Sequence, residues 1–278
     1  MRVLERTFAI DGRAGELEID VYGDTHLGSK SVDETRLRRD IQETRDKERW
    51  WCHVGDVIDG ILPGDRRFNS QNIAEWAWES LKAEELIAGE WNRFRELFAP
   101  IQKKCLFVLD GDGMHNSCAN VANKMRETLE AMNIPGGFIS TYFTINTTRS
   151  KPNDKYYGHR CSVPLVFHHG WFAGRKKGGK ANNLVDALAI YPKAWAFICG
   201  HGHDKTVLRV NSLMVEGHRV RQWVRRAAMT GSYLLTYSDE TTGYGEVKGY
   251  APAGLGRITL ALRPFHVDDE KRIEVLNA

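Results

Sequence analysis

No CxxC pair occurs in this 278-residue sequence, and its cysteines number only five: Cys52, Cys105, Cys118, Cys161 and Cys199. An odd set without metal-type spacing argues against a disulfide framework and against a structural zinc site. A reducing, cytoplasmic setting is the expectation. Long apolar runs are missing as well. Nothing approaches the roughly 20 residues needed to span a bilayer. The opening MRVLERTFAI sets charges on both sides of a short apolar patch and lacks a signal-peptide core. Neither secretion nor a membrane partner is expected. There is no internal repeat, no low-complexity tract and no Pro/Gly/Ser linker, so a single domain over residues 1–278 is expected. Nor does one sign of charge dominate: 39 Lys and Arg against 36 Asp and Glu leave a formal +3. That is too mild to argue for nucleic-acid binding. What is present is ordinary globular composition, 42% hydrophobic and 27% charged, with eight Trp and eleven Phe as core material.

The hydrophobic pattern alternates strands with helices. Residues 16–23, ELEIDVYG, alternate and end at glycine, which predicts a strand. Residues 33–48 predict a charged helix with Leu37 and Ile41 on one face. WWCHVGDVIDG predicts a strand closing in a turn. From Ala74 to Phe98 the spacing of Trp76, Leu81, Leu86, Ile87, Trp91, Phe94 and Phe98 predicts one amphipathic helix. KKCLFVLDG predicts a strand, and NVANKMRETLEAMN a helix stopped by Pro135 and two glycines. Residues 138–147, 163–168 and 194–199 predict strands, and residues 146–160 a hairpin or surface excursion. The last third is mostly β in character. The class is α/β.

Five of these strands end in Asp or His beside Gly: 23-GDTHLG-28, 55-GDVIDG-60, 107-FVLDGDGMHNS-117, 167-FHHG-170 and 199-CGHGHD-204. In open α/β sheets the carboxyl ends of strands gather on one edge, where ligands bind. The pattern therefore predicts a meeting of Asp24, His26, Asp56, Asp112 or Asn116, His115, His169, His201 and His203. Each piece alone reads as a turn or a cap. Five such coincidences, each at a strand end, weigh far more than any one. HxH on extended backbone puts both imidazoles on one face. His168 and His169 face opposite ways, so one of them is expected to be a ligand. Carboxylates and imidazoles suit divalent manganese, iron, zinc or nickel. The donors are too many for one ion, and two ions need a bridging oxygen, for which Asp56 is the natural candidate.

The order DxH, GD, an Asn/His-bearing turn, H, GHxH over residues 24–203 resembles the calcineurin-like metallophosphoesterases. The resemblance implies an α/β/β/α sandwich of two mixed β-sheets flanked by helices. It implies a dinuclear metal-dependent hydrolase of phosphoric esters, with manganese the expected ion. Carried over position by position, Asp24, His26 and His203 would hold one ion, and His169 and His201 the other. Asp56 would bridge, and His115 would handle a proton near the substrate. His169 is preferred to His168 because the family places this ligand directly before Gly. The third motif departs from the family's Gly-Asn-His. Asp112 directly follows Gly111, where the family has its asparagine, and is the expected second-ion ligand, with Asn116 the alternative.

Two basic stretches follow candidate motifs, 64-GDRRFN-69 and 174-GRKKGGK-180. Arg66, Arg67, Arg175, Lys176, Lys177 and Lys180 can bind phosphates of DNA, RNA or a nucleotide, or can belong to solvated loops with no such role. Trp171, Phe172, Tyr156 and Tyr157 can stack on bases or simply pack. The leading expectation is a phosphodiesterase acting on nucleic acid or a nucleotide. A phosphomonoesterase or nucleotide pyrophosphatase is the enzymatic alternative, and a catalytically idle scaffold for protein partners is the non-enzymatic one.

Overall fold

The computed structural model describes residues 1–82, 85–111, 119–151, 155, 157–171, 176–238, 242 and 244–277. Twelve strands form two six-stranded mixed sheets among the described residues. One sheet has the order β12-β11-β2-β3-β4-β5. Its strands are β2 (Leu17–Tyr22), β3 (Trp50–His53), β4 (Cys105–Leu109), β5 (Gly136–Phe138), β11 (Ile258–Leu262) and β12 (Ile273–Asn277). The other has the order β1-β6-β7-β8-β10-β9. It comprises β1 (Arg2–Ile10), β6 (Ser140–Arg149), β7 (Arg160–His168), β8 (Ala196–Cys199), β9 (Thr206–Glu216) and β10 (Arg219–Met229). β2, β3 and β4 run parallel, and so do β7, β8 and β10.

The inward faces of both sheets alternate apolar residues into a shared core that includes Ile19, Val21, Phe107, Phe143, Val163, Phe167, Ile198, Leu260 and Leu262. Helices cover the outward faces. α1 (Glu34–Asp46), α3 (Leu86–Phe98) and α4 (Ala119–Ala131) pack Leu37, Ile41, Trp91, Phe94, Phe98, Met125 and Leu129 on Tyr22, Trp51 and Val108 of the first sheet. Asp33 caps α1 by accepting the Arg36 amide at 2.8 Å. α5 (Lys177–Ile190) packs Leu184, Ala187 and Leu188 on Val166 and Phe197 of the second sheet. Burying each such Leu, Ile, Phe or Met side chain is worth about 1.5–3 kcal/mol. The layers are thus helix, sheet, sheet, helix. A further short helix, α6, spans Tyr244–Val247.

Several expectations change. The single helix over 74–98 is broken into a 3-10 turn (Glu75–Ala77), α2 (Trp78–Lys82) and α3. The cause is two separate destinations for apolar residues. Ile73, Ala74, Ala77 and Leu86 form a cluster of their own, whereas Ile87, Trp91, Phe94 and Phe98 face the sheet. Within 174–180 the chain is already helical from Lys177, so the basic stretch is not wholly a loop. β1 was not legible because its exposed outer side chains hide the alternation. β6 and β7, which flank residues 150–159, pair antiparallel with Thr148 opposite Arg160. The strand ends also do not share one sheet edge. Three belong to one sheet and two to the other.

Candidate metal centre

Two short loops follow β2 and β3, and the backbone zips them together. Asp24 N donates to Gly55 O (3.0 Å), His26 N to Asp56 O (3.0 Å), Leu27 N to Val57 O (3.0 Å) and Asp59 N to Leu27 O (2.8 Å). Thr25 Oγ1 donates to Val57 O at 2.7 Å and lies 3.1 Å from His53 Nε2. His53 Nδ1 accepts the Gly55 amide, and burial lowers the pKa of this ring to about 3, so it stays a neutral strut. From the second sheet, His169 and the 200–203 loop arrive after β7 and β8. The His201 amide donates to both Asp24 carboxylate oxygens at 3.0 and 2.9 Å. The end of β10 closes the seam: Ser232 Oγ donates to Asp24 O at 2.9 Å, and Thr230 Oγ1 to Val21 O at 3.1 Å.

Seven described non-glycine residues have positive φ, and five of them lie here: Asp24 (49°), His26 (44°), Asp56 (50°), His201 (65°) and His203 (49°). Left-handed backbone costs an L-residue on the order of 1–3 kcal/mol. Such strain persists only where the surroundings over-determine it, and it concentrates at functional sites.

These loops bring six side chains into two groups. Asp24, His26, Asp56 and His203 form one, and Asp56, His169 and His201 the other, with donor atoms inside each group within 4.8 Å of one another. Asp56 belongs to both. Its Oδ2 lies 3.7 Å from His26 Nε2, and its Oδ1 lies 3.4 Å from His169 Nε2. His26 Nε2 and His203 Nε2 are 3.2 Å apart, as are His169 Nε2 and His201 Nδ1. Bonds of about 2.0–2.2 Å to one ion separate its donors by roughly 3–4.4 Å, so both groups have the spread of a coordination shell. His169 Nδ1 donates to Val54 O at 3.0 Å, which turns Nε2 inward. The Asp59 carboxylate lies 3.6 Å from His26 Nδ1, the kind of outer partner that orients a metal-binding imidazole.

The electrostatics favour a cation. Asp24 is fully buried and Asp56 is 2% exposed. Burial, then the charge of Asp56, raises the pKa of Asp24 to about 7. Burial opposes charge on His169, yet Asp56, Asp24 and the bond to the Val54 carbonyl together overcome it and lift the pKa to about 9. For His26, burial is likewise overcome by Asp59, Asp56 and Asp24, again reaching about 9. Without a cation, the pocket draws protons onto groups that would otherwise be ligands. A divalent ion inverts that logic and holds both carboxylates ionised. In donor type, spacing and charge the residues fit divalent ions.

Other expected residues fall elsewhere. His168 is half-buried, accepts the Gly170 amide at Nδ1 and belongs to neither group. Asp112, His115, Asn116 and Arg175 lie outside the described residues. Gly111, however, is described, and a Cβ on it would stand 2.4 Å from Asp56 N and 2.6 Å from His169 Nδ1. The chain therefore enters 112–118 in contact with the second group, through a position only glycine fits. Arg66 is exposed. Arg67 forks onto Asp65 with bonds of 3.0 and 2.6 Å. Lys176 is exposed, and Lys177 is exposed with Nζ 3.7 Å from Asp204. Lys180 donates to Gly202 O at 2.6 Å, so its ammonium braces the loop between His201 and His203. Asp59, Thr25, His53 and Ser232 escaped the sequence reading. Only Asp59, three residues past Asp56 in GDVIDG, carried a visible signal.

Three ligand candidates come from each sheet, so a bound ion would tie the sheets together. Adding manganese to chelator-stripped protein should therefore raise the melting temperature. Saturation at about 100–1,000 times Kd is worth about 2.7–4.1 kcal/mol, which for a chain of this size is about 5–15 °C. Differential scanning calorimetry at fixed pH measures it, and an unchanged melting temperature would sink the coordination assignment.

No family model matches the chain, and no curated protein matches it. Among solved structures, a conserved uncharacterized protein (predicted phosphoesterase) from Streptococcus pneumoniae is similar at 13% identity. It covers 89% of this chain and 84% of that one, with a TM-score of 0.29. GAP50, the anchor in the inner membrane complex of Plasmodium, is similar at 10% identity over 89% of this chain and 81% of that one, with a TM-score of 0.38. At these scores neither carries information about the chemistry of this site. No helix among the described residues is long and apolar enough to cross a membrane.

Proposed function

We propose that the chain is a dinuclear metal-dependent phosphoesterase, acting as a phosphodiesterase on nucleic acid or a nucleotide. The observation that carries this reading is the divided carboxylate of Asp56, with one oxygen turned to each donor group. Asp24, His26 and His203 would hold one ion, His169 and His201 the other, and Asp56 both. Asp112 would be a further ligand of the second ion, with Asn116 its alternative. Held there, two divalent ions would supply Lewis acidity toward phosphoryl oxygens and lower the pKa of a bound water toward neutrality.

The protein's own contribution is position and charge. The left-handed loops fix the donors before substrate arrives. Asp59 and the Val54 carbonyl set the imidazole orientations of His26 and His169. His115 moves a proton at the leaving oxygen. Arg66, Arg67, Arg175, Lys176 and Lys177 are the cations proposed to contact further phosphates, although Arg67 would have to share its guanidinium with Asp65.

The test is a manganese-supported assay of bis-p-nitrophenyl phosphate against p-nitrophenyl phosphate, extended to single-stranded DNA, duplex DNA, RNA, cyclic dinucleotides and mononucleotides. The expected result is diester turnover well above monoester turnover, abolished by chelator and restored by manganese. Faster monoester cleavage would make the protein a phosphomonoesterase. No turnover of any ester by metal-replete protein would favour a scaffold.

A further inference from the structure

We infer that Glu90 is a positioning residue of the metal centre: it sets the two donor loops of the first sheet against each other and, through Asp59, holds the imidazole of His26. The inference rests on the metal-dependent reading and adds a residue that lies outside both donor groups. Glu90 stands three residues after Ile87 and four before Phe94, on the buried stripe of α3. Its neighbours on that stripe are apolar, and it is itself completely buried. Glutamate is almost never fully buried unless it is paired, and a buried carboxyl group costs stability unless it is hydrogen-bonded.

The two carboxyl oxygens meet the two loops. Oε2 accepts the Gly60 amide at 3.1 Å. Oε1 fills the space that a side chain at position 28 would need, since a Cβ on Gly28 would overlap it and stand 2.8 Å from Glu90 Cγ. Gly28 also has φ 111°, so glycine alone permits this approach. Gly28 lies two residues after His26, and Gly60 directly follows Asp59. At the same joint the loops are tied to each other. Leu27 pairs in parallel with Ile58, and Asp59 N donates to Leu27 O at 2.8 Å. Behind it, Ala74 N donates to Gly28 O at 2.8 Å, and Ala74 clusters with Leu86 at the start of α3.

The helix supplies a fixed reference. Trp91, Phe94 and Phe98 lock α3 onto the sheet, and Glu90 carries that fixed position to the loops. The Asp59 carboxylate lies 3.6 Å from His26 Nδ1, while His26 Nε2 faces Asp56 and His203. A metal-binding imidazole is oriented by the partner of its other nitrogen. Withdrawing the Glu90 carboxyl releases the Gly60 amide, loosens Asp59 and lets the His26 ring turn. A carboxyl kept for the fold alone would act on stability without regard to Asp59. One that positions His26 acts on metal affinity, and only while Asp59 is present.

The test is calorimetric titration with manganese of chelator-stripped wild type, Glu90→Ala, Glu90→Gln, Asp59→Ala and the double variant Glu90→Ala/Asp59→Ala. Loss of an outer partner typically weakens metal binding about 10–100-fold. That loss is expected in Glu90→Ala for one of the two ions, the one assigned to His26. Glu90→Gln keeps an acceptor oxygen at the same reach and should recover most of it. The double variant should bind no more weakly than Asp59→Ala, because the two residues act in series. Unchanged affinity in Glu90→Ala, losses that multiply in the double variant, or no recovery in Glu90→Gln overturn the inference. If Glu90→Ala lacks the wild-type circular dichroism spectrum, Glu90→Asp, which draws the carboxyl back by one methylene, takes its place under the same criteria. Wild type that binds no manganese sinks the metal-dependent reading and the inference together. Manganese binding with the expected pattern but no ester turnover sinks the phosphoesterase reading and leaves the inference standing.

Discussion

Replacing Asp56 by Asn should lower kcat/KM for a chromogenic phosphodiester by about three orders of magnitude or more, since a metal pair supplies several kcal/mol of transition-state stabilisation and each 1.36 kcal/mol is tenfold. The amide keeps the size of the side chain but removes its charge and one of its two acceptor oxygens. Both donor groups lose the same residue, so both ions should weaken, and metal analysis after gel filtration should find well under two equivalents. A second signature separates this from simple misfolding. In the metal-free protein Asp56 repels its buried neighbour Asp24, whose pKa it helps to raise. Without cations that relief is set against the lost pairing of Asp56 with His169 and His26, so the variant should keep the wild-type circular dichroism spectrum and lose the melting-temperature gain that manganese confers. Full activity of wild type with a single equivalent of manganese would contradict the shared-carboxylate arrangement.

His115→Ala should cost about 10²–10⁴-fold in kcat, the usual range for one general acid–base group, while both metal equivalents remain. The prediction rests on the third motif of the sequence and on Gly111, which delivers the chain to that motif against Asp56 and His169. A group that protonates the leaving oxygen matters most when that oxygen is a poor leaving group. The loss should be larger for a dinucleotide than for a p-nitrophenyl ester, because p-nitrophenolate departs without a proton. Loss of one metal equivalent in this variant would show that His115 is a ligand and not a proton carrier.

The layered α/β architecture was legible because its causes are local. Period-two alternation in ELEIDVYG and period-3.6 spacing in Leu37 and Ile41 survive without any knowledge of partners. So was the placing of Asp24, His26, Asp56, His169, His201 and His203 at strand ends, since Gly and Asp punctuate those ends directly. What was hidden depends on contacts between distant segments. In the sequence Lys180 reads equally as a phosphate-binding cation or as part of a solvated loop, and its bond to the Gly202 carbonyl has no local signal. Ser232 has no motif, and its work is a single bond to the Asp24 carbonyl. The break before α3 has no Pro to announce it, because it arises from two competing apolar clusters. The left-handed backbone of five donor residues was invisible for the same reason. Asp and His tolerate that region better than most residues, but only the surrounding bonds impose it.

The order in which the two sheets are threaded bears on how the molecule is made. The chain lays β1 in one sheet, β2 to β5 in the other, β6 to β10 back in the first, and returns with β11 to pair antiparallel with β2, Ile258 opposite Val21 and Leu262 opposite Leu17. All six donor residues have left the ribosome once His203 has emerged, yet β2, which ends just before Asp24, keeps an open edge until residues 258–262 arrive. At about 5–20 residues per second that interval lasts seconds. Through it a nascent chain carries all six candidate ligands while β2 is paired on one side only, and an open strand edge is a template for wrong partners. Translation is therefore a stage at which a neighbouring chain can reach the edge of β2 before β11 does.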